Sequence, residues 1–187
     1  MKTNENIALY VLRLAGTLFL IAALVALALA GVNSVTAPII EELNAQKTQD
    51  AIAAVLPGGF DTEVTDFADA TGIVSKVYQG EAGYAVEVGP GGFDNTITMM
   101  VGVDNEGKVL GISVVSHTET AGLGAVAAAN TSAGEAFRGQ FVGMGAENDI
   151  LVEKDNGEVA AITGATITSR AICVGVNAAL DCVAGLG

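Results

Sequence analysis

The apolar positions change their period twice along the chain. Leu14 to Val32 is a run of 19 residues in which Thr17 is the only polar side chain. At ~1.5 Å per residue such a run makes a helix of ~28 Å, enough to cross the hydrocarbon core of a bilayer. Thr36 to Leu56 then keeps a broken helical stripe in Ile39, Leu43, Ile52 and Val55. Pro38 suits a first helical turn, where its missing N–H is not needed, and Pro57-Gly58-Gly59 ends the run. The spacing predicts a second, juxtamembrane helix there. Gly58 to Gly72, rich in Asp and Gly, reads as a loop. From Ile73 the period shortens to two. Ile73–Gln79, Tyr84–Val88, Thr96–Val103 and Lys108–Ser116 are β-branched runs separated by Gly-rich or Asp/Asn-rich turns, and each is predicted as a strand. Asp104-Asn105-Glu106-Gly107 has hairpin composition, which makes the last two runs antiparallel neighbours. Near the C-terminus the helical period returns. A short strand over Glu158 to Ile162 is followed by a helix over Arg170 to Val183, with Ile172, Val176, Ala179, Leu180 and Val183 on its apolar side. The fold class is α+β: one N-terminal transmembrane helix, then a domain with an antiparallel-rich sheet and packing helices. Residues 1–35 form the N-terminus and anchor, 36–58 the joining helix, and 59–187 the domain.

Charge sharpens this division. The chain has 187 residues, of which 51% are hydrophobic, and a net charge of −13. Beyond Val32 there are 6 basic and 20 acidic residues, a balance of 6 − 20 = −14. No basic patch can track a phosphate backbone, so nucleic-acid binding is excluded as a function class. Lys2 and Arg13 precede the apolar run, whereas Glu41 and Glu42 follow it. The positive-inside bias puts Met1 in the cytoplasm and the domain outside, in a single-pass protein of the inner (plasma) membrane. Ala28-Leu29-Ala30 also has the small residues of a signal-peptidase site, but the apolar run is longer than a signal core, which favours an uncleaved anchor.

Two stretches carry candidate chemistry. Ala161 to Ser169 reads Ala-Ile-Thr-Gly-Ala-Thr-Ile-Thr-Ser, a hydroxyl-rich turn between the short strand and the last helix. Thr168 or Ser169 is the natural N-cap, and Gly164 lets the backbone come close to a ligand. A helix start is also an anion site, because unpaired N–H groups and the positive end of the helix dipole point out of it. A capped helix with two spare threonines accounts for the same spacing. The second stretch is His117-Thr118-Glu119-Thr120-Ala121-Gly122-Leu123-Gly124, which follows the predicted hairpin directly. Here Thr118 or Thr120 can simply cap a helix over Ala125 to Asn130. His117 is the only histidine, so a multi-histidine metal site is excluded. Cys173 and Cys182 lie nine apart on one predicted helix and face opposite ways, which excludes a disulfide between them and leaves buried thiols. Without Cys-x-x-Cys spacing, an iron–sulfur cluster held by this chain alone is excluded too. Phe137-Arg138-Gly139-Gln140-Phe141 reads as packing with Arg138 exposed.

Thr163-Gly164-Ala165-Thr166 resembles the Ser/Thr-Gly-Ala-Thr motif of flavoproteins that carry FMN as a phosphoester on threonine. The His117–Gly124 loop resembles the His-x-Glu-Thr-Pro-Gly-Leu-Gly loop that the same family sets near the flavin ring. Ala160 stands where the family usually has aspartate, and Ala121 where it has proline. The resemblance covers roughly Ile73 to Leu180. It implies that Thr166 holds a covalent FMN attached by a separate flavin transferase. It further implies that Thr163, Gly164, Ala165, Thr168, Ser169 and Arg170 surround the phosphate. His117, Glu119, Thr120, Gly122 and Leu123 would then lie near the ring. With one membrane helix and an acidic outer domain, the chain is similar to the family of G subunits of Rnf electron-transport complexes. Such a protein is an electron carrier within an ion-translocating ferredoxin:NAD oxidoreductase, and has no complete active site of its own. Its partners would be the flavin and iron–sulfur subunits of that complex. The C subunit of the sodium-translocating NADH:quinone reductase shares the threonine motif and the anchor. A membrane-tethered binding or sensor domain without redox turnover is the reading from another class.

Overall fold

The computed structural model of the protein describes residues 2–147 and 149–186, which form two compact units, one ending at Gln46 and one beginning at Lys47. Met1, expected on the cytoplasmic side, lies outside the described residues. A single helix, α1 (Lys2–Val55), runs through the whole first unit, so the two predicted helices are one. Pro38 sits inside it and not in a first turn. The helix forgoes one backbone hydrogen bond there, that from position 38 to the carbonyl of Ser34. Apolar side chains from Leu9 to Val35 stand exposed all round it, and the helix is long and apolar enough to cross a membrane. Three hydroxyls in and just after its apolar stretch are satisfied within the helix: Thr17 Oγ1 donates to the Leu14 carbonyl at 2.9 Å, Ser34 Oγ to that of Gly31 at 2.9 Å, and Thr36 Oγ1 to that of Val32 at 2.9 Å. A helix in lipid requires that.

The second unit is built on a five-stranded antiparallel meander in the order β1 (Thr62–Val64), β2 (Val74–Gly80), β3 (Gly83–Val88), β4 (Thr98–Asp104), β5 (Val109–Ser116). The pairing sets Tyr78 opposite Ala85, Val86 opposite Val101, and Val101 opposite Ile112. The β4–β5 turn is closed by Asp104 Oδ1, which accepts the N–H groups of Glu106 and Lys108, each at 2.8 Å. β1 lies in the stretch expected to be a loop. It is only three residues long, with no alternation to read, and it forms because β2 offers it an edge.

Both faces of the sheet are covered. On one, Val77, Val86, Met99, Val101 and Ile112 pack with Ile172, Val176, Ala179 and Leu180 of α3 (Thr166–Ala184) and with Phe137 and Phe141. On the other, Tyr78, Ala85 and Met100 pack with Ala51, Ile52, Val55 and Leu56, the end of α1 and the residue after it. This explains why β4 is buried at five successive positions. Between β5 and α3 lies α2 (Ser132–Gly139), capped by the Thr131 side chain, which accepts the Gly134 N–H at 3.3 Å. The helix expected over Ala125 to Asn130 is instead a 3-10 turn, Gly124–Ala128, with no side-chain cap. Arg138 is partly buried and not exposed. Its guanidinium donates to the Ala127 carbonyl at 2.6 Å and the Ala129 carbonyl at 3.1 Å, closing the end of that turn.

The strand expected over Glu158 to Ile162 does not form. Val159 makes a single parallel bridge to Val152. Beyond it, the Gln140 amide takes the place of a neighbouring strand. Its Oε1 accepts the Ala160 N–H at 2.8 Å, and its Nε2 donates to the Ala160 carbonyl at 3.2 Å.

Candidate functional site

The helix α3 begins four residues earlier than its apolar period indicates. Its N-cap is Ala165, and Thr168 and Ser169, expected to cap it, lie in its first turn and are buried. Ser169 Oγ accepts the Ile162 N–H at 3.0 Å and donates to the Ala165 carbonyl at 3.0 Å, so this hydroxyl folds the turn onto the helix. Gly164 is in the left-handed region at φ +78, where a side chain is disfavoured, and a Cβ on it would lie 3.0 Å from Leu123 Cδ2. Thr166 is thereby the first helical residue. No side chain caps the helix. Among the described residues the amides of Thr166, Ile167 and Thr168 donate to no backbone or side-chain acceptor, and the first bonded amide is that of Ser169, to the Ala165 carbonyl at 3.0 Å.

Three other segments meet this helix start: the loop between β3 and β4, the loop after β5, and a 3-10 turn at Glu153–Asp155. Together they enclose a cleft of about 300 Å3. Of the residues expected at the site, Gly164, Ala165, Thr166, Thr168, Glu119, Thr120 and Leu123 line it. Glu119 holds it together. This buried carboxylate accepts the Phe93 N–H at 2.8 Å and the Thr168 hydroxyl, and makes a longer contact of 3.4 Å with the Asp94 N–H. Gly92 and Gly124 flank it so tightly that a Cβ on either would lie 2.3 Å and 2.4 Å from its oxygens.

Five expected residues stand outside the cleft wall. Thr163 is exposed in the turn, Gly122 (φ +78) turns the loop, and Ser169 faces inward. His117 Nδ1 accepts the Glu119 N–H at 3.2 Å, which shapes the loop from behind. Arg170 does not reach toward Thr166. Its Nε and a terminal nitrogen fork onto Asp155 at 2.6 Å and 2.7 Å. That fork holds the Asp155 carboxyl below its ordinary range and raises the guanidinium in turn.

The cation at Thr166 is Lys154, whose Nζ donates to Oγ1 at 3.2 Å. Phe93, Ile167 and Gly124 complete the wall. Phe93, Leu123 and Ile167 keep 65%, 42% and 49% of their surfaces exposed and give the cleft an apolar rim. The sequence held a signal for Lys154, one of only six basic residues beyond Val32 and twelve residues before Thr166. Phe93 was a large apolar residue in a loop of glycines, which is also a reason to ask what it serves.

The FMN-binding domain family matches residues 92–181. The G subunit of the sodium-translocating ferredoxin:NAD(+) oxidoreductase complex of Acetobacterium woodii is 34% identical, with 97% of each chain covered. The chain belongs to this family of G subunits. The G subunit of the ion-translocating oxidoreductase complex of Methanosarcina acetivorans is 30% identical over 89% of this chain and 91% of its own. The G subunit of the proton-translocating ferredoxin:NAD(+) oxidoreductase complex of Clostridium ljungdahlii is 40% identical over about half of each, 52% and 51%.

The residues present suit FMN. A phosphate placed at Thr166 would meet unpaired helix-start amides and an ammonium, the donor set an anion needs. The apolar rim suits a flat aromatic ring system.

Proposed function

We propose that the chain is the flavin-carrying G subunit of an ion-translocating ferredoxin:NAD+ oxidoreductase complex, with FMN joined to Thr166 through a phosphoester. Bound there, the isoalloxazine ring system would take up and release electrons, and the protein's part is position and environment. The observation that carries the proposal is the setting of one hydroxyl. Thr166 is half-buried at the start of α3 and lines the cleft, and its Oγ1 accepts from an ammonium. Glu119 and Thr168 clamp the walls to the helix start, while Phe93, Leu123 and Ile167 offer apolar contact and keep water from one side of the ring. Residues 1–35 supply the cytoplasmic end and anchor, 36–58 join anchor to domain, and 59–187 carry the flavin outside the cytoplasm. Neighbouring flavin and iron–sulfur proteins of the complex would deliver and remove electrons, and a flavin transferase would make the ester.

A denaturing gel of membranes from cells co-expressing the transferase tests the linkage. Wild-type chain is expected to give a fluorescent flavin band, and Thr166→Ala a full-length chain with none. A fluorescent Thr166→Ala band would refute the assignment of this hydroxyl.

A further inference from the structure

We infer that Lys154 is the counter-ion of the phosphate carried at Thr166, and that the Arg170–Asp155 ion pair is the strut that keeps it there. The inference rests on the linkage proposed above and names how the chain holds it.

An exposed lysine ordinarily samples many rotamers, and fixing it opposes side-chain entropy. Here its backbone is fixed. Asp155 and Gly157 donate to the Val152 carbonyl at 2.8 Å and 3.1 Å, and Asn156 closes the turn in the left-handed region at φ 65. Gly157 lies so near the Leu151 carbonyl that a Cβ would come within 2.0 Å of its oxygen. The turn is then tied to α3 by Arg170, which stands four residues after Thr166 and so on the same helix face. A planar two-bond fork fixes direction as well as distance. Lys154, next to Asp155, is carried to Thr166 by that geometry.

Charge makes the same point. The chain carries −13 overall, and the cleft already holds the Glu119 carboxylate. Arg170 is occupied by Asp155, which leaves Lys154 as the one cation lining the cleft among the described residues. A phosphodiester bears one negative charge on two non-bridging oxygens. These lie two bonds beyond the ester oxygen, across the phosphorus, and the ammonium already contacts that ester oxygen position. Arg170 is a positioning residue in this arrangement, acting on the phosphate only through Lys154.

The test uses the full-length chain in membranes, co-expressed with a flavin transferase. The readouts are flavin-bearing mass against time and the 31P line of the attached diester. Lys154→Ala is expected to lengthen half-labelling about tenfold. It should also move the 31P line, while leaving thermal unfolding of the domain unchanged. Lys154→Arg should recover the rate to within about threefold, since it restores the charge but not the shape of the donor. Arg170→Gln and Asp155→Asn should each slow labelling and shift the line in the same direction. Neither should add anything in the Lys154→Ala background, the non-additivity of residues acting through one group. Wild-type rate and an unmoved 31P line in Lys154→Ala would overturn the inference with the linkage intact. A wild-type chain bearing no flavin would instead remove the linkage itself.

Discussion

A carboxylate is rarely buried without donors, and Glu119 shows what such a group does when it has them. Its oxygens serve the Phe93 amide and the Thr168 hydroxyl, so the charge binds segments of the protein to each other. Cys173 is the opposite case, a buried group whose environment suits only its neutral form. Burial pushes its thiol from the ordinary 9.0 up to about 11, and Cys182 is raised by burial as well. The unfolded chain therefore releases these protons at a lower pH than the folded one. Stability from this source is intact below pH 9.0 and falls as pH rises toward 11. Urea melts of the full-length protein from about pH 8 to 11 are expected to show that decline, flattened in Cys173→Ala. An equally steep decline in the variant would place its origin elsewhere.

At the scale of elements, the start of α3 is decided by hydrogen bonds that the apolar period does not register. Ile172, Val176 and Leu180 mark the buried side of the helix and announce it reliably. They do not mark its first turn, which is set by Ser169 folding back on Ile162 and by Gly164 in a conformation few residues adopt. The covered back of the sheet has its own determinant. Gly102 meets the end of α1 so closely that a Cβ would lie 2.1 Å from the Val55 carbonyl oxygen. Gly102→Ala is expected to destabilise the domain by about 1–3 kcal/mol, the usual result of overpacking a filled interface. An unchanged urea midpoint would mean that the end of α1 does not rest on the sheet in solution. The sequence identified four of the five strands because they alternate or run apolar over most of their length. It missed β1, which has three residues and borrows its order from β2.

For the whole molecule, the two units differ in what they ask of their surroundings. The first displays apolar side chains from Leu9 to Val35 and needs lipid or other helices to cover them. The second buries its own core and carries nearly all the acidic charge. Arg13 before the apolar run and Glu41 and Glu42 after it favour a topology with the C-terminal domain outside the cytoplasm. On that topology, reporter fusions at the C-terminus should be active with alkaline phosphatase and dark with green fluorescent protein. The reverse pattern would invert it.

Local pattern along the chain dictates a membrane-length apolar helix, an antiparallel sheet, a last helix, and a threonine motif at that helix's start. These follow from periods of about 2 and 3.6 and from contiguous residues, which need no knowledge of distant neighbours. Which cation stands at Thr166 depends instead on how distant segments pack together. Arg170, close in sequence, is drawn off to Asp155, and Lys154 arrives on a separate turn. Long side chains reach across elements, so their partners are chosen by packing and charge competition in three dimensions and not by spacing along the chain.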